Sequence, residues 1–429
     1  MTTAFVHLWD HRVGAIAWDE ATGIGYFEYD PGFLSLQLDP APFTMPVAQA
    51  RQRVFSFPDL RNKDTFKGLP GMLADVLPDK YGHAVINSWL ASQGRPPDSL
   101  TPVELLCFIG KRGMGALEFE PARPKTARQS SKLEIDSLIA VAEKILTGRN
   151  NFTTHLDPDE QKALSDILKI GTSAGGARAK AVIAFNPKTL EVRSGQAQVP
   201  KGFTHWILKF DGVTDTQFGA SSGYGRVEMA YYNMAKDAGI DMTECRLLEE
   251  NGRAHFMTRR FDRDDQGEKI HMQSLCALRH FDFNEMNLYS YEQLFETVRM
   301  LALPYPQSEQ LFRRMAFNVM GRNCDDHTKN FAFTMDRSGK WQLAPAFDVC
   351  HAYRPGSQWV STHALSVNGK RDGIEAADLL EVARRMNIRK ADQMVEEISS
   401  VVSQWKRYAD EVGVETKLRE AIGKTLVVY

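Results

Sequence analysis

The sequence predicts an α+β fold in two lobes, a β-rich N-terminal region followed by a mainly helical C-terminal lobe. Three observations carry this. Short runs rich in β-branched and aromatic residues open the chain, separated by turn residues. A strand, a glycine-rich loop and further strands recur between 160 and 262. From about 280 onward, apolar residues fall at three- and four-residue spacing. At 429 residues the chain is long for one core, so two or three domains are expected. A β-rich half joined to a helical half is expected to keep its site in the cleft.

AFVHLWD, VGAIAWDE, GIGYFEYD and FLSLQLD read as four strands. LPGMLADVLPDKYGHAVINSWLASQG reads as helical, with Asp79 and Lys80 just past Pro78 as a start. LTPVELLCFIGKRGMGALEFEP reads as a helix, a glycine turn and a strand. Residues 121–132 combine two prolines with small polar residues and read as a linker. A helix over 132–147 and a polar loop over 148–158 follow. YSYEQLFETVRMLAL, SEQLFRRMAFNVMGRN and ADLLEVARRMNI each read as amphipathic helices. The boundaries are 1–125 for an N-terminal β-rich subdomain, 126–262 for a part with a glycine loop and a linking strand, and 263–429 for the helical lobe.

Hydrophobic residues make up 43% and charged residues 25%, and the net charge is -2. That balance gives no general pull toward nucleic acid or anionic membrane. The five cysteines are widely spaced and form no C-x-x-C pair, so reduced thiols in a cytoplasmic protein are expected. MTTAFVHLWDHRVG lacks the pattern of a signal peptide, and no apolar run reaches membrane-spanning length.

The strongest chemical signal is NCDDHTKNFAFTMDRSGKWQLAPAFDV, residues 323–349. FAFTM and WQLAP read as paired strands around a DRSG turn. A hairpin would bring Asp325, His327 and Asn330 beside Asp348. Phosphoryl transfer needs a carboxylate to accept the hydroxyl proton, plus a carboxylate and an amide oxygen to hold magnesium. In the protein-kinase catalytic loop the base precedes the metal-binding Asn by five positions, the spacing of Asp325 and Asn330. Asp325 is therefore the expected base, Asn330 and Asp348 the expected magnesium ligands. Lys329 is placed to steady the transferring phosphate, and His327 to shape the loop.

Upstream, GTSAGGARAKAVIAF runs from a flexible loop into a strand. Gly171, Gly175 and Gly176 would let backbone N–H groups approach phosphate, with Lys180 at the strand's start. HWILKF carries Lys209, a candidate for contacting phosphates, and Glu228 in the following helix could pair with it. HFMTRRFDR reads as a strand whose end, at Arg260 and Phe261, could meet adenine. Arg259, Arg260 and Arg263 read equally as a structural ion-pair cluster, the preferred role for Arg263.

Together these segments resemble the HipA family, serine/threonine kinase toxins of bacterial toxin–antitoxin modules. FKGLPGMLADVLPDKYG and PVELLCFIGKRGMGALEFEP resemble its N-terminal region, and SAGGARAKA its phosphate loop. MTRRFDR, GRNCDDHTKNFAF and LAPAFDV resemble its hinge, catalytic loop and metal loop. The resemblance implies a protein-kinase-like (HipA-like) fold and use of ATP and Mg2+. It implies Asp325 as base, Asn330 and Asp348 as metal ligands, and Lys209 as an ATP-phosphate contact. Lys180 falls at the lysine ending the loop motif. Ser173 falls at the family's autophosphorylated loop serine, with Thr172 beside it as a second acceptor. Phosphate there would add about two negative charges to the loop that cradles ATP, and inactivate the enzyme.

The implied partner is a small helix-turn-helix antitoxin of HipB type, which would supply most affinity for operator DNA. Some family members phosphorylate aminoacyl-tRNA synthetases, which makes a synthetase one candidate substrate. Two positions depart from the pattern. Arg259 stands where an acidic hinge residue is familiar, and GGARAK replaces the AQEK-type loop. Two alternatives stay open at this stage. A metal-dependent phosphohydrolase would use Asp325, Asp326, His327 and Asp348. A non-catalytic antitoxin-binding co-repressor would be expected to lack a base or a metal ligand, and this chain has all three.

Overall fold

Alternation of apolar and polar residues sets the first strands, β1 (Thr2–Leu8), β2 (His11–Asp19) and β3 (Ile24–Tyr29). Ala4, Val6, Leu8, Val13, Ile16 and Phe27 are buried. The β2–β3 turn closes through Asp19, whose carboxylate accepts from Thr22 Oγ1 (2.8 Å) and Ala21 N (2.9 Å). The computed structural model describes residues 2–121, 133, 135–147, 164–168, 171, 178–195, 199–215, 219–220 and 222–429.

FLSLQLD is not a strand. Phe33–Ser35 form a single 3₁₀ turn, and the fourth strand of the sheet is β4 (Val54–Phe55). The turn lets Phe33 stack on Tyr29, with centroids 6.0 Å apart, while Gln37 takes a left-handed φ of 57° that breaks the extended run. The helix Lys80–Ser92 starts where the sequence places it. Asp79 is its N-cap and accepts from Gly82 N at 2.6 Å. Helix Pro102–Ile109 carries a Thr101–Glu104 capping box, and β5 (Leu117–Glu120) completes an antiparallel sheet of order β4-β3-β2-β1-β5. The predicted helix over 132–147 is present as Ile135–Thr147. The linker, apart from Pro121 at its start, lies largely outside the described residues, as does the polar loop after 147.

A second five-stranded sheet follows. Its strands are β6 (Lys180–Asn186), β7 (Glu191–Ser194), β8 (Thr204–Lys209), β11 (Cys245–Glu250) and β12 (Arg253–Arg259), in the order β11-β12-β8-β6-β7. A short ribbon of β9 (Thr214–Asp215) and β10 (Gly219–Ala220) lies between β8 and β11 in sequence.

Two compact units divide the chain. One holds Met1–Ser222, Leu248–Met272 and Arg337–Gly339, and the other Gly223–Leu247, Gln273–Asp336 and Lys340–Tyr429. In the second unit, helices Tyr291–Met300 and Tyr305–Met320 bury Leu294, Phe295, Leu311, Phe312, Met315 and Phe317. Each such side chain contributes about 1.5–3 kcal/mol of transfer free energy. Ala391–Ser403 packs against Tyr305–Met320. Tyr231, on helix Tyr224–Asp237, meets Phe317 and Trp405 edge-on and donates to Gly321 O at 2.6 Å. All five cysteines are free thiols. No helix among the described residues is long and apolar enough to cross a membrane.

Candidate active site

The hairpin read from the sequence forms in the second unit. Strands Ala332–Met335 and Trp341–Leu343 pair with Phe333 opposite Leu343 and Met335 opposite Trp341. Ala344 N donates to Ala332 O at 2.9 Å, which closes the open end. Beyond it the returning chain is tied down twice. Ala346 N donates to Asp241 O (2.8 Å), while Cys324 N donates to Ala352 O and Ala352 N to Arg322 O (both 3.0 Å). The residues before the first strand and after the second are thus neighbours, and Asn330 and Asp348 line one small cavity of about 10 Å3.

Asp325 lies just before the turn Thr328–Asn330, with its carboxylate half exposed. Its carbonyl accepts from Asn330 Nδ2 at 2.7 Å. That bond fixes the amide, so the Asn330 carbonyl oxygen is the end left to face a ligand. Asp348 holds a left-handed φ of 52°, a conformation Asp tolerates better than most residues. A carboxylate and an amide oxygen are hard donors. They suit Mg2+, which takes one or two protein ligands and completes its shell with phosphate and water. His327 Nε2 lies 3.7 Å from Asp325 Oδ1, and its ring packs on Phe283 at 5.0 Å. Lys329 Nζ sits 5.3 Å from the same Phe283 ring. Asp325, His327 and Lys329 therefore share one patch.

Asp326 is buried and lines the cavity of Asn330 and Asp348. Its Oδ1 accepts from Ala364 N (2.8 Å), and its Oδ2 from Tyr291 Oη (2.8 Å) and His363 Nδ1 (2.9 Å). Burial alone would disfavour the His363 imidazolium. The adjoining Asp326 carboxylate outweighs it and pushes His363 up to about 10. Burial, reinforced by Asp326, holds the Tyr291 phenol well above its ordinary value. Both oxygens of Asp326 are thus engaged by protein donors.

In the first unit, Lys180 and Lys209 stand opposite each other on β6 and β8, and Lys209 opposes Phe256 on β12. Directly opposed residues project from the same sheet face. Lys180 is buried, with Asp79 Oδ2 at 3.8 Å from its Nζ. Lys209 Nζ lies 5.6 Å from the centre of the Phe256 ring. Glu228 is buried on helix Tyr224–Asp237, in the second unit. Ser173, Thr172, Gly175 and Gly176 lie outside the described residues, while Gly171 is buried near Tyr81.

The Arg260 side chain takes part in the structural ion-pair cluster, one of its two expected roles. Its guanidinium forks onto Asp262, Nε to Oδ1 at 2.8 Å and Nη2 to Oδ2 at 2.6 Å, and its N–H donates to His205 O at 2.9 Å. Arg263 Nη1 and Gly115 N also donate to Asp262 Oδ2, at 2.9 and 2.7 Å. Gly115 has φ of 73° with Met272 backbone 3.1 Å from where a Cβ would stand, so a side chain there would be strained. Burial would raise the Asp262 carboxyl, but Arg260 and Arg263 hold it well below the usual range. Arg260 is thus a structural residue with Arg263. Phe261 beside it is only partly buried, and Arg259 pairs with Asp265 at the surface.

Several residues escape a reading of the sequence. Tyr291 looks like any apolar position of its helix, and His363 is a lone histidine in a polar loop. Asp79 reads as a cap and gives no hint of Lys180. Arg314, on helix Tyr305–Met320, is buried and lines the cavity of Asn330 and Asp348. No local pattern marks any of these, because each acts across more than 25 residues of sequence or through a cavity.

The chain matches the model of the HipA-like C-terminal domain over residues 172–405 and that of the HipA N-terminal domain over residues 4–120. A Haemophilus influenzae protein named "Putative kinase" is 26% identical over 134 residues, 28% of this chain. The chain spans 39% of that curated relative's length. A chain of the Shewanella oneidensis MR-1 toxin–antitoxin complex of HipA, HipB and operator DNA superposes with a TM-score of 0.67 at 16% identity, over 98% of this chain and 94% of that one. That likeness establishes the fold. The Helicobacter pylori proinflammatory kinase CtkA aligns with 52% of this chain and 90% of its own at 12% identity and a TM-score of 0.30.

Proposed function

Because the chain belongs to the HipA family, we propose that it is a serine/threonine protein kinase using ATP and Mg2+, and the toxin of a toxin–antitoxin module. The observation that carries this is the meeting of Asn330 and Asp348 at one cavity, with the Asn330 amide oriented by the backbone of Asp325. Asp325 accepts the proton of the attacking hydroxyl, whose oxygen bonds to the γ-phosphorus as the bond to ADP breaks. Asn330 and Asp348 hold the metal. Bound Mg2+ supplies neutralisation of the phosphate charge. Lys329 steadies the transferring group and His327 orders the loop around Asp325. In the first unit, the paired Lys180 and Lys209 contact ATP phosphates, together with backbone of the loop holding Gly175 and Gly176. Ser173 in that loop is the autophosphorylation site.

The antitoxin reading rests on family membership and on the Shewanella relative, which is found with HipB and operator DNA. The partner of this chain would be a HipB-like helix-turn-helix protein that carries the DNA contacts. The test is intact-mass spectrometry of the purified protein after incubation with ATP and Mg2+, beside Asp325→Ala. A phosphate-sized gain in the wild type only is expected. An unphosphorylated starting protein that gains nothing would overturn the kinase reading.

A further inference from the structure

Asp325 sits between two anchored neighbours. On its N-terminal side, Asn323 N donates to Asn318 O (2.9 Å), Asn323 Nδ2 to Asn318 Oδ1 (3.0 Å), and Cys324 N to Ala352 O (3.0 Å). On its C-terminal side, Asp326 is held by Tyr291, His363 and the N–H of Ala364. Asn318 Nδ2 also donates to Tyr291 Oη at 3.0 Å. The two anchors are therefore one connected network, Asn323–Asn318–Tyr291–Asp326–His363, and all five side chains are buried. His327 holds extended backbone, and burial alternates along the segment: Cys324, Asp326 and Thr328 are buried while Asp325 and His327 are partly exposed, so consecutive side chains point to opposite sides. Fixing Asp326 inward therefore fixes Asp325 outward, where its carboxylate is half exposed.

We propose that Asp326 and His363 are positioning residues that set the orientation of Asp325 for proton transfer. The inference rests on the kinase reading above. A buried carboxylate with three donors on it is rigid, and its imidazolium partner leaves no uncompensated charge. The network also ties the His363–Ala364 segment, 37 residues on, to the loop that carries the base. Arg371 braces that segment from behind, donating to Ala364 O and to Tyr289 O. Misplacing a catalytic group by about 1 Å costs on the order of 10²-fold in rate.

The test measures the rate of phosphate gain by intact mass across ATP concentrations, for wild type, Asp326→Asn, His363→Ala and His363→Asn. Asp326→Asn and His363→Ala should lower the maximal rate about 10–100-fold, with the half-saturating ATP concentration unchanged within about twofold. His363→Asn keeps a donor near the Nδ1 position and should recover most of the rate. Tyr291→Phe removes one donor with little change of volume, and serves if the others fail to fold; a several-fold loss of maximal rate is expected. Folded variants with wild-type maximal rates, or losses seen only in ATP saturation, would overturn the inference while leaving the kinase reading intact. Absence of phosphate gain in the wild type would instead remove the reading on which it rests.

Discussion

Lys180 and Lys209 face each other across two antiparallel strands, and the Asp79 carboxylate lies 3.8 Å from Lys180. Like charges directly opposite each other weaken a sheet, by about 0.2–1 kcal/mol. A sheet face that carries such a pair is suited to an anion. Lys180→Met and Lys209→Met should each weaken ATP binding about tenfold or more, as lost charge-assisted contacts of about 1.5–3 kcal/mol require. Their stabilities should differ. Lys180→Met takes the buried cation from Asp79 and should cost about 3–5 kcal/mol, whereas Lys209→Met should stay within about 0.5 kcal/mol of wild type. Calorimetric ATP titration and urea unfolding check both.

Asp348→Ala and Asn330→Ala each remove one hard oxygen donor from the cavity they share. Nucleotide binding should lose its dependence on Mg2+ in both, while circular dichroism stays that of the wild type. Magnesium-dependent binding retained in Asp348→Ala would remove it from the metal site.

Asp262→Ala should be among the most damaging single changes in the first unit. It leaves the buried guanidiniums of Arg260 and Arg263 facing each other without their shared carboxylate, and frees the Gly115 N–H. The expected loss is about 3–5 kcal/mol, read from the urea midpoint of a folded population at low temperature. An unchanged midpoint would show that the arginines find other acceptors.

Stability should fall on both sides of about pH 6.5. His363 is pushed up to about 10, chiefly against burial and by Asp326, so its contribution is complete below the unfolded value near 6.5 and is lost as pH rises through 10. Burial of His205 and His271 lowers both to about 4, aided at His205 by Arg260 and Arg263. They stay neutral in the fold, so stability is lost as pH falls from about 6.5 toward 4. Urea unfolding across pH 4–10 measures this, and His363→Asn should flatten the alkaline limb alone.

Ser173→Ala should leave the melting temperature unchanged and remove most of the self-phosphorylation seen in wild type. Peptide mapping decides between Ser173 and Thr172. Phosphate remaining on another residue of the loop would reject Ser173.

Where a feature was local, it could be read from the sequence. DRSG between two apolar runs specifies the hairpin, and Asp79 after Pro78 specifies a helix start. FLSLQLD misled because alternation alone cannot tell an edge strand from a turn that buries Phe33 on Tyr29. Which arginines pair could not be read, because three arginines near a strand end look alike until Asp262 selects two of them.

The sequence by itself determined the order of β-rich and helical parts and the hairpin that brings Asn330 near Asp348. These depend on periodicity, turn chemistry and short spacings, which operate within a few residues. Only the tertiary structure decided that Asp326 turns inward onto His363 and Tyr291 while Asp325 stays exposed, and that Lys180 and Lys209 share a row. Those outcomes depend on which distant donors and strands arrive beside a residue, and burial makes that choice, because a carboxylate leaves water only where enough donors meet it.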